Sequence, residues 1–135
     1  MLLRPGSLFP GTVRDNLTLG DPTIERPRLQ EALELAGVSE TVEALSEGLD
    51  TSLNRAGYPL VAQDQARLLL ARALVLDSRL LIVDRVFDSL GLKERESIID
   101  LLFSDDRGWT VLYLTAHGTD HQGGSKRVPL KEVVA

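Results

Sequence analysis

Residues 63–84 read QDQARLLLARALVLDSRLLIVD and join a helical pattern directly to a strand pattern. Over 63–76 the small and aliphatic side chains recur at the helical spacing, which leaves Gln65 and Arg72 facing water. Residues 79–84 then form a short, continuous aliphatic run, typical of a parallel strand that is covered on both faces. A long helix that leads into a buried parallel strand predicts an α/β fold.

The residues that follow extend this pattern. Residues 93–103 carry an apolar helical stripe, and 110–116 are again strand-like. Strand, helix and strand in this order predict a right-handed crossover within one small parallel sheet. The tail at 126–134 is compatible with a third strand, which Pro129 would confine to a sheet edge, and we leave this tail open.

The first half of the chain is predominantly helical. Residues 25–36 have apolar side chains at i, i+3, i+4 and i+7, and Gly37 follows at the position of a helix C-cap. A shorter helix is predicted to begin with Ser39 as its N-cap and to stop at Gly48. These helices predict a helical subdomain beside the sheet, within a single domain over 1–135.

Composition excludes several classes of function. The chain of 135 residues has a formal net charge of -5, so it has no basic excess for binding nucleic acid or an anionic membrane surface. It contains no cysteine, which removes disulfides, thiolate metal sites and cysteine nucleophiles and fits a reducing, cytoplasmic location. The most apolar stretch, 68–83, is interrupted by Arg72 and Asp77, so we expect no direct membrane insertion.

The connecting segments are distinctive. They read LFPGTVRDNL over 8–17, LSEGLDT over 45–51, GYPL over 57–60 and RLLLARAL over 67–74. In this order, with the strands on either side, they resemble the ATP-binding cassette of exporter-type ABC transporters, and the resemblance covers 8–117. It implies a protein that binds ATP and Mg²⁺, pairs with a second cassette and drives transport through a membrane-embedded partner.

The segment that matches the family's signature motif differs at four of its five positions. It consists of Leu60, Val61, Ala62, Gln63 and Asp64, which the resemblance implies as nucleotide-binding residues. A signature presents a hydroxyl, glycine backbone and a helix N-terminus to a phosphate. Val61 has no hydroxyl, and Asp64 places a negative charge where the phosphate would lie. The alternative is that Asp64 only caps or stabilises a helix start.

The Walker B strand is also altered. Asp84 stands where the family's aspartate holds Mg²⁺ through water, but the catalytic glutamate that follows it is Arg85, which cannot act as a general base. The alternative role for Asp84 is structural, as an ion-pair partner of Arg85 or Arg4. His117 stands near the position of the family's γ-phosphate-sensing histidine.

No G-x-x-x-x-G-K-[ST] motif occurs in these residues, and the family's P-loop would lie upstream of Met1. The glycine-rich segment 118–126 follows a strand, but Pro129 is incompatible with the helix that should receive phosphates. His117 and His121 have the spacing of a metal pair but no evident further ligand, so a solvated loop is the preferred interpretation.

These residues predict a partial and degenerate cassette that is not an active ATPase by itself and holds no cofactor when isolated. The first hypothesis is a non-catalytic interaction or regulatory module linked to transmembrane transport. The alternative is half of a split or asymmetric ATPase, which lends 60–64 to ATP bound by a partner cassette. The expected partner is another cassette-like chain, a transporter subunit or, through exposed sheet edges, a second copy.

Overall fold

The computed structural model of the chain describes residues 1–104 and 108–117. Five strands and five helices occur there. The strands are β1 (Leu2–Leu3), β2 (Gly11–Thr12), β3 (Ser52–Leu53), β4 (Leu80–Asp84) and β5 (Thr110–Leu114). The helices are α1 (Val13–Thr18), α2 (Arg26–Ala36), α3 (Ser39–Glu43), α4 (Ala62–Leu76) and α5 (Leu92–Leu102).

The parallel sheet has β4 at its centre, with β1 on one side and β5 on the other. Helix α5 connects β4 to β5, so the predicted strand, helix and strand unit and the α/β fold class are confirmed. The third strand is β1, which the sequence did not predict because two residues carry no periodicity. The tail predicted as a strand at 126–134 lies outside the described residues.

Only one face of β4 is fully buried. Leu81 and Val83 are inaccessible to solvent, whereas Leu80 is 48% exposed and Ile82 is half-buried. The prediction of a strand covered on both faces is therefore wrong for the described residues. A continuous aliphatic run indicates that both faces of the strand are apolar. It does not indicate that other elements cover both faces.

Helices α2 and α4 pack against each other through the apolar stripes that the sequence predicted. Gly37 ends α2 in a left-handed conformation, with φ of 71°, as predicted. Ser39 is not an N-cap, because α3 begins at Ser39 itself and Val38 occupies the cap position. The Ser39 hydroxyl instead accepts a hydrogen bond from Gln30 Nε2 at 2.8 Å. Gly48 begins a 3₁₀ turn over Gly48–Asp50 rather than ending a helix.

Arg72 of α4 is buried, contrary to the prediction that it faces water. Only 7% of the residue is exposed. Its guanidinium donates to the Asn16 carbonyl at 2.6 Å, to Asn16 Oδ1 at 2.8 Å and to the Ser7 carbonyl at 3.1 Å, and lies 5.5 Å from the Phe9 ring centroid. Burial lowers the pKa of Arg72 to about 10. Arg72 lies beside α1, where backbone carbonyls replace water as acceptors, and the helical period alone did not predict this.

None of the helices in the described part of the chain is long and apolar enough to span a membrane.

Candidate functional site

The carboxyl ends of the three parallel strands lie at one edge of the sheet, where ligands commonly bind in α/β folds. Arg4 follows β1, Asp84 ends β4, and Thr115 follows β5. We call these residues, together with Arg85 and Asp88 of the β4–α5 connection, the strand-end cluster. The fold therefore brings together Asp84, Arg4 and Arg85, the residues that the sequence related to one another.

Both oxygens of the Asp84 carboxylate face a guanidinium. Arg4 Nη2 lies 3.5 Å from Asp84 Oδ2, and Arg85 Nε lies 3.4 Å from Asp84 Oδ1. The Asp84 side chain is 22% exposed, whereas both arginine side chains are at least 60% exposed. A Mg²⁺ ion at Asp84 would therefore compete with two ion pairs, both to exposed arginines.

Arg85 has a left-handed backbone, with φ of 52°, which is uncommon for a residue other than glycine. Its backbone N–H donates to the Leu114 carbonyl at 2.9 Å, which extends the pairing of β4 with β5 beyond Asp84. The turn thus holds the guanidinium beside Asp84, at the sequence position where the family has its catalytic glutamate. No proton acceptor for an attacking water is supplied by this residue.

Asp88 fixes the segment that leads to His117. Its carboxylate accepts hydrogen bonds from Thr115 Oγ1 at 2.6 Å and from the Ala116 backbone N–H at 3.0 Å. The His117 N–H in turn donates to Thr115 Oγ1 at 3.0 Å, and the residue is exposed. Sequence reasoning missed this contact, for which the only signal was a carboxylate in the β4–α5 connection.

Tyr113 carries a buried hydroxyl that has no hydrogen-bond partner among the described residues. Its ring stacks on Phe87, with the ring centroids 6.5 Å apart. Burial, followed by the negative charge of Asp88, raises the pKa of Tyr113 to about 12. The phenol is therefore neutral at physiological pH, and its hydroxyl is a buried polar atom on a ring that packs against the core.

The second candidate is the signature segment, residues 60–64, at the start of α4. Leu60 is buried, Val61 is 63% exposed, and Ala62 and Gln63 are exposed. Asp64 is the third residue of the helix, and no side chain caps this helix start. Asp64 therefore does not cap the helix, but its carboxylate lies in the first turn, where it interacts favourably with the helix dipole, in keeping with the alternative that it stabilises the helix start.

The loop before the signature segment is held by the side chain of Gln65. Its Nε2 donates to the Leu60 carbonyl at 2.7 Å and to the Ala56 carbonyl at 3.0 Å, so Gln65 does not simply face water, contrary to the prediction. Gly57 has φ of 80°, and a Cβ atom there would collide with the Gln65 amide. These contacts fix the loop that leads into the signature segment.

No hydrogen bond or ion pair links the signature segment to the strand-end cluster in the structure over 1–104 and 108–117. No group of three or more histidine, aspartate or glutamate residues that could hold a metal ion occurs in the same ranges. His121 and the segment 118–126, whose metal and phosphate roles the sequence disfavoured, lie outside them.

Comparison with known proteins gives relatives of one kind, although no protein-family model matches the chain. It is 35% identical over 110 residues to the mycobactin import ATP-binding/permease protein IrtB of Mycolicibacterium smegmatis, an alignment that covers 82% of this chain and 19% of that protein. It is 28% identical over 132 residues to the toxin RTX-I translocation ATP-binding protein of Actinobacillus pleuropneumoniae, covering 98% of this chain and 18% of the relative. The chain thus spans about a fifth of these curated relatives.

The fold has a solved counterpart. A bacterial Atm1-family ABC exporter with ATP bound superposes with a TM-score of 0.72 at 22% identity, over 84% of this chain and 20% of the exporter chain. This match shows the fold alone, whereas the sequence similarity is to the relatives described above. The chain is thus similar in sequence to part of ATP-binding/permease and translocation ATP-binding proteins and similar in fold to part of an ABC exporter, in agreement with the ABC-transporter cassette that its motifs indicated.

Proposed function

We propose that this chain, as one partial cassette domain over 1–135, is a non-catalytic interaction or regulatory module linked to transmembrane transport. The observation that carries the proposal is the pairing of Asp84 with Arg85 and Arg4. An ATPase needs a free carboxylate for its metal and a base for its water at this edge of the sheet. Here the carboxylate is engaged by two cations, and one of these cations occupies the position of the base.

The signature segment supports the same proposal. Its exposed positions are Val61, Ala62 and Gln63, which offer no hydroxyl and, at Gln63, add a side chain where a phosphate would approach the backbone. Asp64 contributes a negative charge to the same helix end. Each difference lowers affinity for a triphosphate, so we propose that the isolated chain binds neither ATP nor Mg²⁺.

The alternative function is half of a split or asymmetric ATPase. One observation favours it, because Val61, Ala62 and Gln63 lie exposed at the first turn of a 15-residue helix. A nucleotide carried by a partner cassette could contact this surface without rearrangement of the chain. The negative charge of Asp64 opposes that contact.

The proposed partner is a transporter subunit or another cassette-like chain, and the proposed location is cytoplasmic, peripheral to a membrane transporter. The curated relatives are named as ATP-binding/permease and translocation proteins. In the described part of the chain, β1 and β5 are the two edges of the parallel sheet, so self-association through either edge is a further route to assembly. The net charge of -5 leaves nucleic acid an unfavourable partner.

The two functions are separated by adding the chain to a purified, complete exporter cassette and measuring hydrolysis of Mg-ATP. A variant with Val61→Ser, Ala62→Gly, Gln63→Gly and Asp64→Gln restores the family's signature, and Glu31→Ala, at an exposed position of α2, is the surface control. The interaction module predicts that the native chain and the control add no turnover. An increase in turnover of more than tenfold with the native chain would instead establish the split ATPase.

A further inference from the structure

The strand-end cluster presents more cationic donors than it uses. Arg4 and Arg85 each direct one N–H group to the Asp84 carboxylate, and the other N–H groups of both guanidiniums have no hydrogen-bond partner within residues 1–104 and 108–117. The Arg4 side chain is 60% exposed and the Arg85 side chain is 67% exposed. Because both contact one carboxylate, the two guanidiniums flank a single point on the carboxyl edge of the sheet.

The contacts with Asp84 are long for charge-assisted hydrogen bonds. Their N···O distances are 3.5 Å and 3.4 Å, whereas a guanidinium and a carboxylate commonly approach to about 2.8 Å. Exposed ion pairs of this kind hold their side chains only weakly. Either arginine can therefore turn toward a better-placed acceptor without breaking a buried contact.

The backbone of Arg85 fixes the point from which its side chain starts. Its φ of 52° lies in the left-handed region, which few residues other than glycine adopt, and its N–H bond to the Leu114 carbonyl holds it beside β5. Residues held in sparsely populated backbone conformations cluster at active sites and ligand clamps. Since a guanidinium cannot act as a base here, a binding role is the one that its chemistry allows.

The charge of the cluster favours a carboxylate over a polyphosphate. Asp84 lies between the two arginines, and Asp88, the second carboxylate of the cluster, accepts hydrogen bonds from Thr115 and Ala116. The acidic and basic side chains of the cluster balance, so it does not attract a highly charged anion from a distance. At contact, the guanidinium fork matches a planar carboxylate, to which it can donate two parallel hydrogen bonds.

The open surroundings favour a protein partner over a small molecule. Small-molecule sites are concave and enclose most of the ligand, whereas Arg4, its neighbours Pro5 and Gly6, and Arg85 are all exposed. A partner surface would cover the cluster as it docks, and charge pairs at such a contact set its orientation. The formal net charge of -5 opposes a strongly acidic partner, so the occupant is one acidic side chain, or two adjacent ones, in an otherwise neutral segment.

We propose that Arg4 and Arg85 form a carboxylate receptor for one or two adjacent acidic side chains of a partner polypeptide. This inference rests on the proposed interaction role and names the chemistry that the partner presents to the strand-end cluster. It gives the two arginines a role in recognition in addition to their pairing with Asp84. Because its test contains no nucleotide, it can fail while the proposal about ATP stands, and the reverse also holds.

The test is an NMR titration of the nitrogen-15-labelled native chain with a short capped peptide that carries two adjacent glutamates between glycine and serine residues. The same peptide with glutamines is its control. The readout is the shift of the backbone amide signals of residues 4 and 85 at low ionic strength. Arg85→Gln and Arg4→Gln each remove one guanidinium, and Arg55→Gln, at an exposed position before the signature segment, makes the same charge change elsewhere.

We expect saturable shifts with the glutamate peptide alone. Its affinity should fall at least about threefold in Arg85→Gln and in Arg4→Gln, and about tenfold in the double variant, with no change in Arg55→Gln. No saturable shift in the native chain, or an equal loss of affinity in Arg55→Gln, would overturn the proposal. Equal competition by acetate at the same carboxylate concentration would assign the site to a free carboxylate, and tighter binding of inorganic phosphate would assign it to phosphate; either result also overturns it. Arg4→Gln reports on the same site if Arg85→Gln does not fold.

Discussion

Replacement of Arg72 by methionine tests the packing on which the position of α4, and therefore of the signature segment, depends. The guanidinium is the donor for two backbone carbonyls, those of Asn16 and Ser7, and for Asn16 Oδ1. Asn16 Oδ1 keeps a second donor, the Phe9 N–H at 3.0 Å, so the variant leaves the two carbonyls without this donor. Each such loss costs about 1–3 kcal/mol, and the methionine offsets part of it by filling the apolar space.

We therefore expect Arg72→Met to lower the free energy of unfolding by about 3 kcal/mol. The assay is urea unfolding followed by far-UV circular dichroism, with the m-value used to confirm that the native fold is retained. The matched control is Arg67→Met on the same helix, where a longer hydrogen bond of 3.4 Å to the Ala36 carbonyl predicts a loss below about 1 kcal/mol. A loss below about 0.5 kcal/mol for Arg72→Met would refute the buried network as a source of stability.

Three further substitutions have defined outcomes. Tyr113→Phe removes a buried hydroxyl without a partner among the described residues, so stability at pH 7 should be unchanged or rise by up to about 1 kcal/mol. The pKa of Tyr113 is about 12 in the folded chain, against 10.0 for an ordinary tyrosine, so the unfolded chain loses this proton first as the pH rises. The free energy of unfolding of the native chain should therefore fall between about pH 10 and 12, and that of the variant should fall less. Urea unfolding across this pH range measures both. Asp84→Asn breaks two ion pairs whose arginines are exposed, so the free energy of unfolding should fall by at most about 1 kcal/mol in the same assay. A larger loss would contradict the description of these contacts as surface ion pairs. Gly57→Ala should cost about 1–3 kcal/mol, because its φ of 80° and the Gln65 amide both exclude a side chain, and a thermal melt that matches the native one would refute this close approach.

The sequence was sufficient where the signal is local. The stripe of α2 and its end at Gly37 follow from helical spacing and one left-handed glycine, and β4 follows from an aliphatic run. Strand β1 could not be predicted in this way, because Leu2–Leu3 becomes a strand only by pairing with Ile82 and Val83, which are distant in sequence.

Polar contacts were harder to predict than apolar ones. Arg72 lies on the side of α4 that meets α1, and its burial depends on one carbonyl of α1 and one of the loop that precedes it. Ser39 has the residue type of an N-cap, yet its hydroxyl bonds Gln30, so the helix starts one residue earlier than the cap rule implies.

The candidate site was predicted in part. The sequence named Arg85 and Arg4 as alternative partners of Asp84, and the structure gives both pairs. The hydrogen bonds of Asp88 with Thr115 and Ala116 could not be predicted, because Asp88 lies in the β4–α5 connection and its partners follow β5, 27 and 28 residues later in the sequence. The roles of Leu60, Val61, Ala62, Gln63, Asp64, His117 and Asp84 toward a nucleotide or metal stay predictions.

The central claim is that the pairing of Asp84 with two arginines, beside a signature segment with the wrong side chains, leaves this chain unable to hold a triphosphate. Isothermal titration of the native chain of 135 residues with Mg-ATP tests it most directly, with a purified complete cassette as the positive control. We predict no heat of binding up to about 1 mM nucleotide, which corresponds to less than about 4 kcal/mol of binding free energy. Saturable binding in the micromolar range, abolished by Asp84→Asn, would contradict the account.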